Sequence, residues 1–448
     1  MRCRYSVWLP SDNFRTTNVR RFRCVVTARA FHCQKCFFLP WPHQSQSLSS
    51  SVIILGASPF IVPLIRAAKK RGFRTLVCSN LPDDPGLREA DEPHLVSILD
   101  EEVIIQIAKN KRPVAVLSAA SDLGIYAASV LSKSLNLQGV RPEQVEAVSD
   151  KGRFHQLQQN LGLPAPACVE VESESLPSAS FFESVGYPAI VKPFFASGSR
   201  GVARVNHYQD LVAMHSETYQ QSSGRKGYVF QQFLEGYEEV GCEAMIINGK
   251  VEFLESTYKF TNEHHAPVGH CVPGPLNKKQ IQNVSSQINA ISEHLGVEQS
   301  PVNLDIMLKA GEAPVIIDMG FRLGGNLLPL VMGVAFGWDP YDWAVRMATE
   351  RTIAPPEYSD CNGVVGSLIF GSMHVQIFTP ELKNALTELV KPHALECVFD
   401  YEPGVQLPVF TQGSRRFGHA LVRTSSLADY VHLLKGVEDI ITHGINPI

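Results

Sequence analysis

The sequence contains no uncharged apolar run that approaches the roughly 18–20 residues a membrane-spanning helix needs, which argues against a helical membrane protein. Only 19% of the 448 residues are charged, and the formal net charge of −4 argues against binding to a nucleic-acid backbone. A GxGxxG fingerprint is absent: Gly56-Ala-Ser58 follows an apolar run, but no glycine recurs before Gly72. No Gly-Lys-Ser or Gly-Lys-Thr tripeptide occurs either, so neither a dinucleotide fingerprint nor a Walker loop is present.

Acidic residues are almost missing from residues 1–50. Asp12 stands there against seven arginines and one lysine, so this segment carries about +7 of formal charge and the remaining chain about −11. An Arg-rich, acid-poor leader is typical of organelle transit peptides. A disordered or barely translated extension is the alternative, which we favour, and it predicts a cytoplasmic protein. Cys33-Gln-Lys-Cys36 has metal-ligand spacing, but no second CxxC follows at zinc-module distance.

The pattern changes at residue 51. The apolar run Val52–Leu55, the helical stretch Phe60–Arg71 and the apolar run Thr75–Cys78 form a βαβ unit, and the alternation continues to about residue 148. This predicts one doubly wound α/β layer with a parallel sheet over 51–148. At the other end of the chain, the sequence after Cys361 predicts mostly strands with one clear helix, Leu427–Ile441.

A hairpin with a small-residue loop follows in the middle of the chain. Its first strand is Ala189–Pro193 and contains Lys192, its loop is Ala196-Ser-Gly-Ser-Arg-Gly201, and its return strand is Val202–Val205. Backbone N–H groups in such a loop can bind phosphate oxygens, with Lys192 close by at the strand end. The sequence therefore predicts an anion site here without a Walker loop.

Two carboxylates further along the chain give the strongest signal. Asp305 lies on one apolar strand and Asp318 on the next, with a Lys309-Ala-Gly-Glu312 turn between them. Two such groups in one cleft repel each other unless a cation or hydrogen bonds intervene, and their hard oxygens suit Mg²⁺. The second strand continues as Asp318-Met-Gly320-Phe-Arg322-Leu-Gly324-Gly325.

Taken in order, these features resemble the ATP-grasp superfamily of carboxylate–amine ligases, which includes biotin carboxylase-like and carbamoyl phosphate synthase-like enzymes. The resemblance covers about residues 51–448. It implies an α/β plus α+β protein with a doubly wound pre-ATP-grasp domain (51–148), a two-lobe ATP-grasp domain (149–352) and a β-rich, lid-supporting C-terminal portion (353–448). A Met-Lys-Met biotinylation sequence is absent, so no biotin is expected on this chain.

The resemblance also implies an activity and its residues. The activity is ATP- and Mg²⁺-dependent ligation, with Mn²⁺ as a substitute metal, of a small carboxylate to an amine through an acyl phosphate. Amino-acid-type substrates are expected, and a homodimer is compatible with the family. Arg322 would be catalytic, facing the transferred phosphoryl group or the substrate carboxylate. Asp305 and Asp318 would bind the metal. Residues implied to bind the nucleotide are Lys151, Lys192, Ser197, Gly198, Ser199 and Gly201 at the phosphates, Gln231, Gln232 and Leu234 at the adenine, and Glu239, or Glu238 in a shifted register, at the ribose.

One departure from the family pattern keeps alternatives open. Gly320 stands where the family has a metal-ligating Asn, so one metal site is weakened or completed by water, and Asn326 is a substitute donor to consider. The alternatives are a catalytically impaired ATP-binding protein and a bicarbonate-phosphorylating, carbamoyl-phosphate-like enzyme. We also predict a loop over Tyr258–Pro275, in which His264, His265 and His270 either contact substrate or are simply solvated.

Overall fold

The computed structural model describes residues 50–196 and 200–443. Its first layer is a four-stranded parallel sheet in the order β3-β2-β1-β4, which confirms the predicted doubly wound layer. The elements are β1 (Ser51–Leu55), α1 (Val62–Lys70), β2 (Arg74–Ser79), α2 (Pro85–Glu89), β3 (Glu92–Leu95), α3 (Glu101–Lys111), β4 (Ala115–Leu117), α4 (Asp122–Ser134) and α5 (Pro142–Ser149).

The strand β1 is buried on both faces of this parallel sheet. Val52 and Ile54 pack into one apolar cluster, whereas Ile53 and Leu55 pack into another on the opposite face. A strand buried on both faces carries a continuous apolar run instead of an alternating one, as Val52-Ile-Ile-Leu55 does.

The second layer is a four-stranded antiparallel sheet in the order β5-β8-β6-β7. It confirms the predicted hairpin, because β6 pairs with β7. The helix α7 after this hairpin has no counterpart in the sequence prediction. The elements are α6 (Lys151–Asn160), β5 (Cys168–Val171), β6 (Ala189–Pro193), β7 (Ala203–Val205), α7 (Tyr208–Gln221) and β8 (Tyr228–Gln232).

The third layer is an eight-stranded sheet in the order β13-β12-β9-β10-β11-β14-β18-β16. Strands on both sides of residue 352 belong to it, and the boundaries at 148 and 352 stay predictions. Its elements, with the helices around it and a two-stranded β15–β17 ribbon, are β9 (Glu238–Ile247), β10 (Lys250–Thr261), β11 (Pro267–Val272), α8 (Lys278–Leu295), β12 (Ser300–Leu308), β13 (Val315–Gly320), α9 (Leu328–Phe336), α10 (Pro340–Thr349), β14 (Val364–Phe370), β15 (Gln376–Ile377), α11 (Pro380–Val390), β16 (Ala394–Phe399), β17 (Gln406–Leu407), β18 (Gly418–Thr424) and α12 (Leu427–His443).

Two sequence predictions about this layer are wrong. The predicted loop Tyr258–Pro275 is largely strand, because β10 extends to Thr261 and β11 begins at Pro267. The segment after Cys361 contains α11 in addition to the predicted helix. Thr379 caps α11 by accepting a hydrogen bond from the Leu382 N–H, a local signal that the strand-rich surroundings obscured.

Alternation along β12 and β9 separates the core from a polar face. Val302, Leu304 and Ile306 on β12 pack into a buried cluster together with alternate residues of β9 and the apolar side of α8. The residues between them, Asn303 and Asp305, therefore project to the opposite face. Within the described residues, no helix combines the length and hydropathy of a membrane span.

The C-terminal core depends on one buried tyrosine on α12. The Tyr430 ring is 0% exposed, and its hydroxyl donates a hydrogen bond of 2.7 Å to the Ser367 carbonyl on β14. Gly269 and Gly366 lie beneath it, and a Cβ on either would come within 2.4 Å of a Tyr430 atom. The absence of side chains at these two positions allows α12 to approach the sheet.

We expect Tyr430→Phe to lower the free energy of unfolding by roughly 1 kcal/mol, because it removes a buried hydrogen bond and keeps the ring. Urea denaturation measures the change. Tyr401→Phe, at a position that is 36% exposed, is the matched control and should leave stability nearly unchanged. Equal stability of the Tyr430→Phe variant and the parent chain would contradict the assignment.

Candidate functional site

The polar face of the eight-stranded sheet brings the two predicted metal acids together. Asp305 on β12 is the direct partner of Asp318 on β13. Both side chains line a small cavity of about 10 Å³, the size that accommodates a single water molecule. The cavity is also lined by Asp122, Asn303, Gly320 and Arg322. Asn326, the substitute donor considered for position 320, is not among its lining residues.

Two lysines approach these acids from the neighbouring elements. Lys151 is the first residue of α6, and its Nζ lies 3.4 Å from Asp318 Oδ1 and donates to the Ala196 carbonyl at 3.1 Å. Lys192 lies on β6 between Val191 and Pro193, both of which are buried. Burial lowers the pKa of Lys192 below its ordinary value, the Asp318 carboxylate opposes the shift, and the Lys151 ammonium adds to it. The ammonium groups of Lys151 and Lys192 therefore both lie near the Asp318 carboxylate.

The rest of the predicted phosphate loop is described only in part. Ser197, Gly198 and Ser199 lie outside the described residues. Gly201 has a φ of +70°, and a Cβ there would come within 2.1 Å of Gln221 Oε1 and 2.7 Å of Pro193 Cγ. Glycine is thus required at this position by both backbone and space.

The predicted adenine segment connects the two antiparallel sheets. Gln231 and Gln232 end β8, and Leu234 lies in the connection to β9. The Gln232 backbone N–H donates to the Ala167 carbonyl at 2.8 Å, so this group is already engaged within the protein. Of the three residues, Gln231 is buried and Gln232 is exposed.

Glu239 is linked to Asp305 by a lysine that the sequence prediction did not include. Lys259 on β10 forms an ion pair with Glu239 and lies 2.8 Å from Asp305 Oδ1. Burial opposes the charge on Lys259, but the Asp305 and Glu239 carboxylates outweigh it and raise the pKa of the ammonium. In turn, Lys259 helps to hold the pKa of Asp305 below its usual range against the effect of burial. Glu238 and Glu239 both line an adjoining cavity of about 350 Å³.

Arg322 follows β13 and is held by three acceptors. Its Nε donates to Asp122 Oδ1 at 2.6 Å, and its Nη1 donates to Asn303 Oδ1 at 3.1 Å and to the Leu323 carbonyl at 3.2 Å. Burial opposes the guanidinium charge, but the neighbouring Asp122 carboxylate raises the pKa of Arg322. The predicted catalytic arginine thus lies at the acidic cavity with its orientation fixed.

Glu243 is a buried acid behind Arg322. Its two oxygens accept hydrogen bonds from Asn303 Nδ2 at 2.7 Å and from the Gly324 N–H at 3.2 Å. Burial nevertheless raises the pKa of Glu243 to about 8. A Cβ on Gly324 would come within 2.2 Å of Glu243 Oε1, so the first glycine of the Gly-Gly pair makes room for this carboxylate.

The three histidines separate into two groups. His264 and His265 lie in the turn between β10 and β11. His270, by contrast, is 3% exposed on β11, where it is the cross-strand partner of Lys259 and hydrogen-bonds Thr257 Oγ1 at 3.2 Å. Burial and the Lys259 ammonium lower the pKa of His270 to about 3, so its imidazole is neutral at physiological pH.

Asp305 and Asp318 are the residues that could hold a divalent cation. Among the described residues, no group of three or more His, Cys, Asp or Glu side chains is arranged to hold a metal ion. Mg²⁺, however, is commonly bound by one or two carboxylates together with waters and nucleotide phosphates, and the pair fits that requirement. Gly320 contributes no side-chain oxygen.

Three residues of the site escaped the sequence reasoning: Asp122, Lys259 and Asn303. Asn303 had a signal, since it stands two residues before Asp305 and strand alternation puts both on one face. Lys259 was hidden by the mistaken loop assignment. Asp122 had no signal, because it is 200 positions from Arg322 in the sequence.

The chain is similar in sequence and in fold to several known proteins. Residues 185–329 match the sequence family described as the ATP-grasp domain. The carbamoyl phosphate synthase large chain of Deinococcus radiodurans is 23% identical over 291 residues, covering 59% of this chain and 27% of that one. The match therefore spans about a quarter of the length of that relative.

Solved structures extend the likeness over most of the fold. An L-amino acid ligase from Bacillus licheniformis has a TM-score of 0.70 at 18% identity, covering 87% of this chain and 97% of that one. The biotin carboxylase domain dimer of the Hydrogenobacter thermophilus 2-oxoglutarate carboxylase, in complex with MgADP, ADP and bicarbonate, has a TM-score of 0.69 at 15% identity and covers 86% of this chain and 89% of that one. The chain therefore contains an ATP-grasp domain at residues 185–329 and shares the fold of these solved structures.

Proposed function

We propose that the chain is an ATP- and Mg²⁺-dependent ligase that activates a small carboxylate, of the amino-acid type, as an acyl phosphate and joins it to an amine. The observation that carries this proposal is the meeting of the paired acids Asp305 and Asp318 with Lys151 and Arg322 at one cleft. Such a set suits a triphosphate with a bound metal and a second anion beside it. The L-amino acid ligase among the similar structures supports the substrate class.

The nucleotide would lie between the two antiparallel sheets. Lys151 and Lys192 would bind its phosphates together with the loop that ends at Gly201. Gln231, Gln232 and Leu234 would contact the adenine, where Leu234 supplies backbone groups. Glu239, which lines the cavity of about 350 Å³, would accept hydrogen bonds from the ribose hydroxyls. The MgADP in the biotin carboxylase domain structure supports a magnesium nucleotide as the ligand.

Asp305 and Asp318 would hold the Mg²⁺, which when bound neutralises phosphate charge and orients the phosphoryl group. Lys259 stays ionised beside Asp305 and offsets the mutual repulsion of the acids. Its ammonium contacts both Asp305 and Glu239. It would therefore neutralise part of the negative charge that Asp305 offers to a metal and that Glu239 offers to a ribose.

The proposed reaction has two displacements. A carboxylate oxygen of the first substrate attacks the γ-phosphorus, and the bond to the bridging oxygen breaks to release ADP. The amine nitrogen then attacks the acyl carbon, phosphate leaves, and the nitrogen loses a proton. Arg322 would hold the oxygens of the substrate carboxylate or of the transferred group, and Lys151 and Lys192 would stabilise charge on the phosphates. The protein's contribution is positioning and charge stabilisation.

A second candidate is a bicarbonate-phosphorylating enzyme. The carbamoyl phosphate synthase relative and the bicarbonate in the biotin carboxylase domain structure favour it. The two candidates differ in their acid: bicarbonate in one, an organic carboxylate in the other.

A panel of amino acids and small organic acids, supplied with MgATP, should therefore reveal substrate-dependent ADP release. Bicarbonate is tested in parallel with and without amines. ADP release that depends on a carboxylate and an amine supports the ligase, whereas release that depends on bicarbonate alone supports the second candidate. Tight ATP binding without ADP release on any substrate would contradict both.

Asp318→Asn should reduce substrate-dependent ADP release by roughly a hundredfold or more, because the amide neither carries the charge that holds Mg²⁺ nor balances Lys151. The side chain is 39% exposed, so the fold should persist. Glu388→Gln changes a carboxylate that is 68% exposed on α11 and should leave turnover unchanged. Full activity of the Asp318→Asn variant would refute the metal assignment.

Lys192→Met should weaken the binding of a non-hydrolysable MgATP analogue by roughly 10- to 100-fold, the effect of losing one charge-assisted contact. Titration calorimetry measures the affinity. Lys250→Met, at the exposed first residue of β10, is the control and should bind the analogue as the parent chain does. An unchanged affinity after Lys192→Met would remove this lysine from the nucleotide site.

A further inference from the structure

We infer that Asp122 is the positioning residue for Arg322, and that Gly320 leaves open, beside this pair, a volume that a longer side chain would enter. The inference rests on the proposed function, in which Arg322 holds the oxygens of a substrate carboxylate or of a transferred phosphoryl group. Asp122 comes from the N-terminal parallel-sheet region, so this contact makes that region part of the catalytic apparatus.

The ion pair is short and largely shielded from water. Arg322 Nε lies 2.6 Å from Asp122 Oδ1, and the two side chains are 13% and 17% exposed. Burial favours the protonated form of Asp122, but the Arg322 guanidinium outweighs burial and lowers the pKa of this carboxyl. Asp122 therefore stays ionised and keeps its hold on the guanidinium.

The contacts of Arg322 use Nε and Nη1 and leave Nη2 as the donor for a ligand. Nε is bound to Asp122, and Nη1 is bound to Asn303 and to the Leu323 carbonyl. Nη2 has no hydrogen-bond partner in the described parts of the chain. A guanidinium binds carboxylate or phosphate through its N–H fork, so fixing Nε and Nη1 determines the direction in which the remaining donors point.

A second contact fixes the backbone that carries the pair. The Ala120 N–H donates to the Leu323 carbonyl at 3.1 Å, two residues before Asp122 and one residue after Arg322. Asp122 itself is the first residue of α4, and Ser121 caps that helix by accepting from the Gly124 N–H. The carboxyl end of β4 thus meets the segment after β13 at two points, and Asp122 is placed by a helix terminus, not by a free loop.

Gly320 lies beside the Asp122–Arg322 pair. A Cβ on Gly320 would lie 3.4 Å from Asp122 Oδ1 and 3.5 Å from Arg322 Nε. A Cβ alone would thus fit at van der Waals distance, whereas the further atoms of a longer side chain at 320 would crowd the volume beside the Asp122 carboxylate and Arg322. The departure from the family pattern at 320 is matched by a carboxylate that reaches the same place from another part of the chain.

A metal-ligand role for Asp122 fits the geometry less well. Its Oδ1 is engaged by Arg322, and across residues 50–196 and 200–443 no three acidic, histidine or cysteine side chains are grouped to hold an ion. Positioning of Arg322 is the role that its contacts support.

The test measures anion binding separately from nucleotide binding. ADP with Mg²⁺ is titrated first, and inorganic phosphate is then titrated into the ADP-bound protein. Asp122→Asn and Asp122→Ala should leave the ADP affinity within about twofold and weaken phosphate binding about tenfold, the size of one charge-assisted contact. Arg322→Gln should weaken phosphate binding at least as much, and adding Asp122→Asn to it should cause little further loss.

A second-site variant tests the shared space. Gly320→Asp on its own should weaken phosphate binding, because two carboxylates would crowd beside Arg322. In the Asp122→Ala background the same change should recover most of the lost phosphate affinity, because the new carboxylate can reach Arg322 from position 320. A residue that only stabilised the fold would not give this reversal of sign.

The control breaks an ion pair whose two residues do not line the small cavity. Arg71, the C-cap residue of α1, lies 2.9 Å from Asp342 on α10, with side chains 28% and 24% exposed. Asp342→Asn should leave phosphate binding unchanged. An equal loss in this variant, an unchanged phosphate affinity after Asp122→Asn, or a parent ADP complex that binds no phosphate would each overturn the inference.

The outcome is separable from that of the proposed function. If no substrate stimulates ADP release, yet the Asp122 variants lose phosphate affinity and Gly320→Asp restores it, the ligase proposal fails and the positioning role stands. Should Asp122→Ala fail to fold, Asp122→Asn serves instead because it keeps the side-chain volume. Its melting temperature, measured beside its phosphate affinity, distinguishes a destabilised fold from a misoriented Arg322.

Discussion

Mutual neutralisation of charges on the cleft face of the eight-stranded sheet is the constraint on which the rest of the site depends. Asp305 and Asp318 are cross-strand partners, and unpaired carboxylates so close together would repel each other. Lys259 contacts Asp305, and Lys151 contacts Asp318. Each cation comes from a different element, so the acids are compensated only when β10 and α6 are in place. The site is therefore a product of the assembled sheets.

The same strands form the core and the site by alternation. On β12, Val302, Leu304 and Ile306 are buried against α8, and this burial fixes the register that turns Asn303 and Asp305 toward the cleft. A slip of one residue would exchange the two sets, which would bury the charged side chains and expose the apolar ones. The hydrophobic side of the sheet thus sets the geometry of its polar side.

Glycines adjust the polar side where side chains would collide. A Cβ on Gly324 would collide with Glu243 Oε1 at 2.2 Å, whereas a Cβ on Gly320 would touch Asp122 Oδ1 at 3.4 Å. These positions explain why a short glycine-containing segment follows β13 without any appeal to flexibility. They also tie the segment around Arg322 to two different parts of the protein, the interior of β9 and the carboxyl end of β4.

The amino-acid sequence by itself determined the features that depend on local order: the continuous apolar run of β1, the hairpin around Lys192, and the placing of Asp305 and Asp318 on successive strands. It did not reveal that residues 258–275 are largely strand, because Pro267 and Gly269 within β11 and the two histidines of the turn hide the pairing of β10 with β11. Only the tertiary structure decided which distant groups complete the site. Lys259 on β10 contacts Asp305 on β12 across the intervening strand β9, and Asp122 at the start of α4 contacts Arg322. Both contacts arise from packing between elements that are distant in sequence, so the residues around them in the sequence give no signal of them.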